Sequence, residues 1–271
     1  MPRSLVELVA IVTGASSGIG AATAQELARR GARVVLAARR ADELEAQVQT
    51  ISAAGGQAVA MPTDITDAAQ VQRLVEYARA TFGPIDVLVN NAGINWTKPL
   101  TETSTDELSH MLQVNLLGTM LVTHAVLPEM QQRRGGNIIT VGSVASHVAL
   151  EPLYSAAKFG VRGFSLALRR QLVDSGIAIS LVTPGNIRTR MTSGLAEHMP
   201  GPELVASAIA NLVLHPRREV IVPFKYHAIV GLDQFFPGVA DFLFHLRHRK
   251  DRAQGNYSNL PAYARDSKTT V

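Results

Sequence analysis

Apolar residues in this chain come in short unbroken runs, separated by longer stretches with helical spacing. That pattern predicts strands buried on both faces, with helices packed over them. Residues 8–12 form the first run. Residues 33–38, 58–61, 87–89, 137–141, 178–182 and 219–222 continue the series. Between them the spacing predicts helices over 21–30, 42–54, 67–81, 107–130, 152–174 and 202–215, with Asp67 as an N-cap and Pro152 in a first turn. Strands alternating with helices at this rhythm predict an α/β fold built on a doubly wound, parallel, seven-stranded sheet.

The pattern changes after residue 222. Residues 223–250 hold five of the eight phenylalanines: Phe224, Phe235, Phe236, Phe242 and Phe244. Two short helices are predicted at 228–232 and 239–246, separated by Phe236-Pro237-Gly238. The segment ends in the cationic run His245-Leu246-Arg247-His248-Arg249-Lys250. The preferred reading is an apolar flap that covers a substrate entrance or packs on a partner subunit. The alternative is membrane contact, as an interfacial anchor on anionic lipid. The chain thus reads as a catalytic domain over 1–222, a helical extension over 223–250 and a flexible polar tail over 251–271.

Composition narrows the chemistry. With 271 residues, 46% of them hydrophobic, the chain can bury a full core. Cysteine is absent, which excludes disulfides, thiolate metal sites and a cysteine nucleophile, and no metal site is predicted. The net charge of +4 is diffuse except near the C-terminus, so no nucleic-acid partner is expected. No signal-peptide pattern and no uninterrupted bilayer-length apolar span stands out, and a cytoplasmic protein is expected.

The candidate chemistry falls at strand ends. Thr13-Gly14-Ala15-Ser16-Ser17-Gly18-Ile19-Gly20 lies between the first strand and the first helix, the context of a dinucleotide-binding turn. Gly14 permits the tight turn, Gly18 lets the backbone approach a pyrophosphate, and Gly20 lets helix and strand pack closely. A glycine-rich turn without a ligand is the competing reading. The second strand ends in Ala37-Ala38-Arg39-Arg40, where a site for NAD would carry an acidic residue. Two arginines suit a 2′-phosphate and therefore NADP over NAD, with Arg39 the better placed and Arg40 turning into the next helix. Tyr154 and Lys158 stand four apart on one helix face, where an ammonium is expected to lower the phenol's pKa. Ser143 closes the preceding strand, and Asn115, flanked by Leu112, Val114, Leu116 and Leu117, is expected to be buried.

Together with Asn90-Asn91-Ala92-Gly93 and Pro184-Gly185, these residues resemble the short-chain dehydrogenase/reductase family, over about residues 8–222. The resemblance implies a Rossmann fold and a tetrad of Asn115, Ser143, Tyr154 and Lys158. In it Tyr154 is the acid/base, Lys158 tunes it and binds a ribose, Ser143 orients the carbonyl, and Asn115 holds a water. It further implies a cofactor site built from Gly14, Ser16, Ser17, Gly18, Ile19, Gly20, Asp64, Ile65, Asn91, Ala92, Gly93, Pro184, Gly185, Ile187 and Thr189. Asp64 and Ile65 would meet adenine, Asn91 the adenosine ribose, and Ile187 and Thr189 the carboxamide.

The activity implied is NADP(H)-dependent interconversion of a carbonyl and an alcohol. A non-catalytic nucleotide-holding scaffold on the same fold is the alternative. Ile94, Trp96, His147, Leu150, Met191, Leu195 and Met199 would line a site for an apolar substrate. Relatives pair through the helices 107–130 and 152–174, so a homodimer or homotetramer is expected. Val161, Phe164, Leu168 and Leu172 are the apolar residues named for that surface.

Overall fold

The computed structural model describes residues 4–96, 99–192 and 199–253, with side chains described as far as Leu246. The seven strands are β1 (Val9–Thr13), β2 (Arg33–Ala38), β3 (Gln57–Pro62), β4 (Val87–Asn90), β5 (Gly136–Val141), β6 (Ile177–Pro184) and β7 (Glu219–Val222). They form one sheet in the order β3-β2-β1-β4-β5-β6-β7, with every pairing parallel. The order reverses between β1 and β4, and the C-terminal ends of these two strands open the crevice where such sheets hold ligands.

Strand residues alternate between two cores. Ala10, Val12, Val34 and Leu36 face α1 (Gly18–Arg29), α2 (Ala41–Ala53) and α7 (Glu203–Leu214). Ile11, Val35 and Leu88 face α3 (Ala68–Phe82), α5 (Gly118–Arg133) and α6 (Pro152–Gln171). Helices on both faces explain why the strands read as continuous apolar runs. Asp67 caps α3 as expected, accepting from the N–H groups of Ala69 and Gln70.

The helix predicted over 107–130 is not uniform. It consists of α4 (Thr105–Leu112), a π-helical turn (Gln113–Leu117) and α5. Ser104 and Glu107 form a capping box at its start. The whole rod, Thr105–Arg133, is long and apolar enough to cross a membrane by length and composition. Polar residues such as Asp106, Glu107, Gln113 and Asn115 interrupt it, so it is not an uninterrupted apolar span. Its Val122, Val126 and Met130, however, are buried in this protein's own core.

Two further expectations change. Val161, Leu168 and Leu172 are buried in the protomer's core and Phe164 packs against it, so they are not free to meet a partner. Leu112, Leu117 and Phe159 are the apolar residues these helices expose. The C-terminal helices are longer than predicted: α8 spans Tyr226–Phe235 and α9 spans Pro237–Ala253. Pro237 starts α9, where the missing N–H is tolerated. The helix therefore runs into the segment expected to be a tail, whose residues 254–271 lie outside the described residues.

Candidate active site

The glycine turn is shaped by backbone that only glycine adopts easily. Gly14 has φ 66° and Gly18 φ 57°. A Cβ on Gly14 would lie 2.8 Å from the Ala92 Cα, and one on Gly20 would overlap the Gly14 carbonyl. Thr13 latches this turn to the end of β4. Its hydroxyl accepts from the N–H of Asn91 at 3.0 Å and of Ala92 at 3.1 Å. The Asn91 amide in turn donates to the carbonyls of Thr13 at 2.9 Å and Gly14 at 3.3 Å. Asn91 thus holds the turn itself, a task its motif did not reveal. Ser17 caps α1 without a side-chain bond to the first-turn amides, and Gly18 and Ile19 of that turn line the crevice, where an anion site would use such donors.

The two arginines after β2 divide their tasks. Arg40 donates to the hydroxyls of Ser16 at 2.9 Å and Ser17 at 3.1 Å, and pairs with Glu43 at 2.9 Å. Sequence reasoning ranked Arg40 below Arg39 for the phosphate because the chain turns into a helix there. That turn is what aims its side chain back at the glycine loop. Arg39 has no hydrogen-bond or ion-pair partner among the described residues, and its charge acts on Asp64. Burial opposes the Asp64 charge, yet the N–H and hydroxyl of Thr66 at 2.9 and 2.8 Å, with Arg39, hold its carboxyl below the usual range.

The tetrad comes from three elements. Asn115 sits in the π-helical turn, fully buried, with its amide clamped to Ile94. It accepts from the Ile94 N–H at 3.2 Å and donates to the Ile94 carbonyl at 2.9 Å. Gly93 passes between Asn115 and Lys158: a Cβ there would lie 2.7 Å from Asn115 Oδ1 and 3.7 Å from Lys158 Nζ. Ser143 follows β5 and caps a short 3-10 turn, its Oγ accepting from the Ala145 N–H at 3.1 Å. Tyr154 and Lys158 lie on the first turns of α6.

Lys158 Nζ donates to the Val141 carbonyl at 3.1 Å and stands 5.7 Å from the Tyr154 ring centroid. Burial lowers the Lys158 ammonium to about 8. Burial also pushes the Tyr154 phenol up to about 12, against the Ser143 hydrogen bond and with help from the Glu151 charge. The expected lowering of the phenol by Lys158 is not found, because the ammonium is directed at Val141 and burial outweighs it.

A cavity of about 850 Å³ joins these groups. Every predicted cofactor and tetrad residue lines it except Gly20, which lies behind against Gly14. Of the residues named for substrate, Ile94, Leu150 and Met191 line it. Trp96 instead stacks on His110, with ring centroids 6.2 Å apart, and Met199 is not in the lining. Leu195 lies outside the described residues. His147 turns away to Glu219 at 2.6 Å.

The extension, expected as an apolar flap over a substrate entrance or a partner contact, supplies Tyr226, Ile229 and Phe244 to the cavity lining, residues the sequence reading did not name for it. The Tyr226 ring lies where a Cβ on Gly185 would be, and its hydroxyl accepts from the Asn186 N–H at 3.0 Å. The clustering of phenylalanines was the available signal, but which helix face turned inward was not.

The description "short chain dehydrogenase" belongs to a family model that matches residues 8–200. A ketoacyl reductase, HetN, of Nostoc is 36% identical over 78% of this chain and 77% of its own length. The 3-oxoacyl-[acyl-carrier-protein] reductase FabG of Escherichia coli is 38% identical over 75% of this chain and 88% of its own. Among solved structures, a variant actinorhodin polyketide ketoreductase with NADPH superposes with a TM-score of 0.76 at 29% identity, covering 79% of this chain and 95% of that one. A match over residues 8–200 takes in β1 to β6, the latch, and Asn115, Ser143, Tyr154 and Lys158 together. The chain belongs to the short-chain dehydrogenase family of oxidoreductases.

Proposed function

We propose that the protein reduces an apolar ketone or aldehyde to its alcohol with NADPH, and that Tyr154 donates the proton. One observation carries this reading. Tyr154, Ser143 and Lys158 line one cavity together with the glycine turn, and burial raises the Tyr154 phenol so that it favours its neutral form. A neutral phenol is the state a proton donor needs.

The residues present fit a dinucleotide. Gly14 and Gly18 keep Cβ atoms out of the cradle, and the α1 amides suit a pyrophosphate. Asp64 and Ile65 would meet the adenine, Arg39 the 2′-phosphate, and Ile187 and Thr189 the carboxamide. The cofactor, when bound, supplies the hydride.

The chain's own groups do the rest. Ser143 donates a hydrogen bond to the substrate oxygen, and Tyr154 gives that oxygen its proton. Lys158, charged below about pH 8, stabilises the phenolate left behind. Asn115 keeps the Gly93–Ile94 segment over Lys158. Ile94, Val148, Leu150, Met191, Ile229 and Phe244 give the remaining wall an apolar part, beside Asn95, Glu151, Asn186 and Arg190, and that part suits an apolar carbonyl compound. The ketoacyl reductases among the relatives put ketones on an acyl chain first in a substrate panel.

The test is turnover of such a panel with NADPH. Tyr154→Phe is expected to lower kcat/KM at least ~100-fold, the usual worth of general acid catalysis, while NADPH binding is kept. Full turnover by Tyr154→Phe would refute the mechanism. NADPH binding without turnover of any compound by the unaltered chain would favour the scaffold role.

A further inference from the structure

The two faces of the C-terminal helix pair are both apolar, and only one is used inside the protein. Val230, Tyr226 and Phe244 pack with Val144, Val148 and Ile221 beside the cavity. The opposite side is bare. Phe224 is 81% exposed, Phe235 70%, Phe236 62% and Phe242 62%. Val239, Phe242, Leu243 and Leu246, also exposed, stand at i, i+3, i+4 and i+7 of α9, a continuous stripe along the helix. Phe235 and Phe236 are consecutive at the junction of α8 and α9. Exposed Asp241 falls outside that spacing.

Neighbouring exposed phenylalanines and leucines of this kind mark interaction surfaces, whereas scattered single ones do not. The sequence of the following turns identifies what it suits. Residues 247–252 contain Arg247, Arg249, Lys250 and Arg252 against one acidic residue, Asp251. Phenylalanine and leucine on one helix stripe, followed by a basic stretch, match a bilayer interface with anionic headgroups. A second copy of this chain would bring a second basic stretch to the same surface, whereas an anionic bilayer brings the opposite charge.

We infer that the exposed face of α8 and α9 docks the protein on an anionic membrane surface. The flap and the anchor are then two faces of one device. Ile229 of α8 lines the cavity and is exposed, on the same helix that carries Phe235. The cavity therefore opens next to the docking face, and an apolar carbonyl compound dissolved in the bilayer is the substrate class served. That last clause rests on the reductase reading; the docking does not.

The test is sedimentation of the full chain with vesicles of phosphatidylcholine, with and without about one-third phosphatidylglycerol. Binding is expected to the anionic vesicles, weakened by added salt. Phe235→Ser combined with Phe242→Ser is expected to weaken it about tenfold or more, with melting temperature, NADPH binding and solution mass unchanged. Arg249→Glu with Lys250→Glu is expected to remove the preference for anionic vesicles. Absence of vesicle binding, or equal binding by the serine variant, overturns the inference. So does a fall in solution mass of that variant without vesicle binding, which would make the face a contact between copies. Vesicle binding is read without substrate, so its failure leaves the reductase reading intact, and failure of the Tyr154→Phe test leaves docking intact.

Discussion

Lys158 is buried and Tyr154 half-buried, and desolvation moves their titrations in opposite directions, the phenol up to about 12 and the ammonium down to about 8. At neutral pH the pair is therefore a neutral phenol and a cation, which is the pairing a proton donor and its stabiliser need. Arg39 poses the other question at this scale. It lines the cavity without an ion-pair partner among the described residues, while Arg40 is committed to Ser16, Ser17 and Glu43. Arg39→Ala is expected to raise the Kd for NADPH by about tenfold or more while changing that for NADH little, because only NADPH carries the 2′-phosphate. Titration of each cofactor by protein fluorescence measures this. Equal weakening of both would remove Arg39 from the phosphate site. Arg39 and the Tyr–Lys spacing were legible in the sequence, since each is a short-range feature. The commitment of Arg40 was not, because Ser16 and Glu43 reach it only once β1, β2 and α2 are packed.

Elements are tied to one another by Glu219 at the start of β7. Its carboxylate accepts from His147 at 2.6 Å, Thr183 at 2.7 Å and Arg162 at 3.2 Å. This joins the turn after Ser143, the end of β6 and the helix of Tyr154 to one carboxylate. Burial alone would raise its pKa, yet these hydrogen bonds bring it down to about 2 from 4.5. A carboxyl with a depressed folded pKa stabilises the protein above its unfolded value. The Glu219 contribution is thus complete above pH 4.5 and is lost as pH falls toward 2. Glu219→Gln is expected to lower unfolding stability by about 2 kcal/mol at pH 7 and to flatten its fall below pH ~4.5. Urea unfolding at several pH values checks this; an unchanged acid slope would sink it. His147 itself was expected at the substrate and is instead a strut.

The π-helical turn belongs to this scale too. Its composition is that of an ordinary apolar helix. It is set by Asn115 closing on Ile94 and by Ile65 lying where a Cβ on Gly118 would be.

At the scale of the whole molecule, the cavity needs elements from both ends of the chain. The glycine turn and β4 supply one end, and α8 and α9 close the other. Leu112, Leu117 and Phe159 remain exposed on α4, the π-helical turn and α6. A two-fold homo-oligomer through these helices is expected, with Leu117→Asp and Phe159→Asp together shifting it toward monomer. Light scattering at micromolar concentration decides; a monomeric unaltered chain would refute it.

By itself the sequence determined the seven-stranded parallel fold and the glycine turn, because strand burial and turn glycines are local and periodic. Tertiary structure alone decided that Val161, Leu168 and Leu172 turn inward, that Arg40 grips the glycine turn, and that α8 and α9 wall the cavity with one face and bare phenylalanines on the other. The physical reason is common to all three. An apolar helix can bury either side, and an arginine can reach several neighbours. The choice between them is made by contacts distant in the chain.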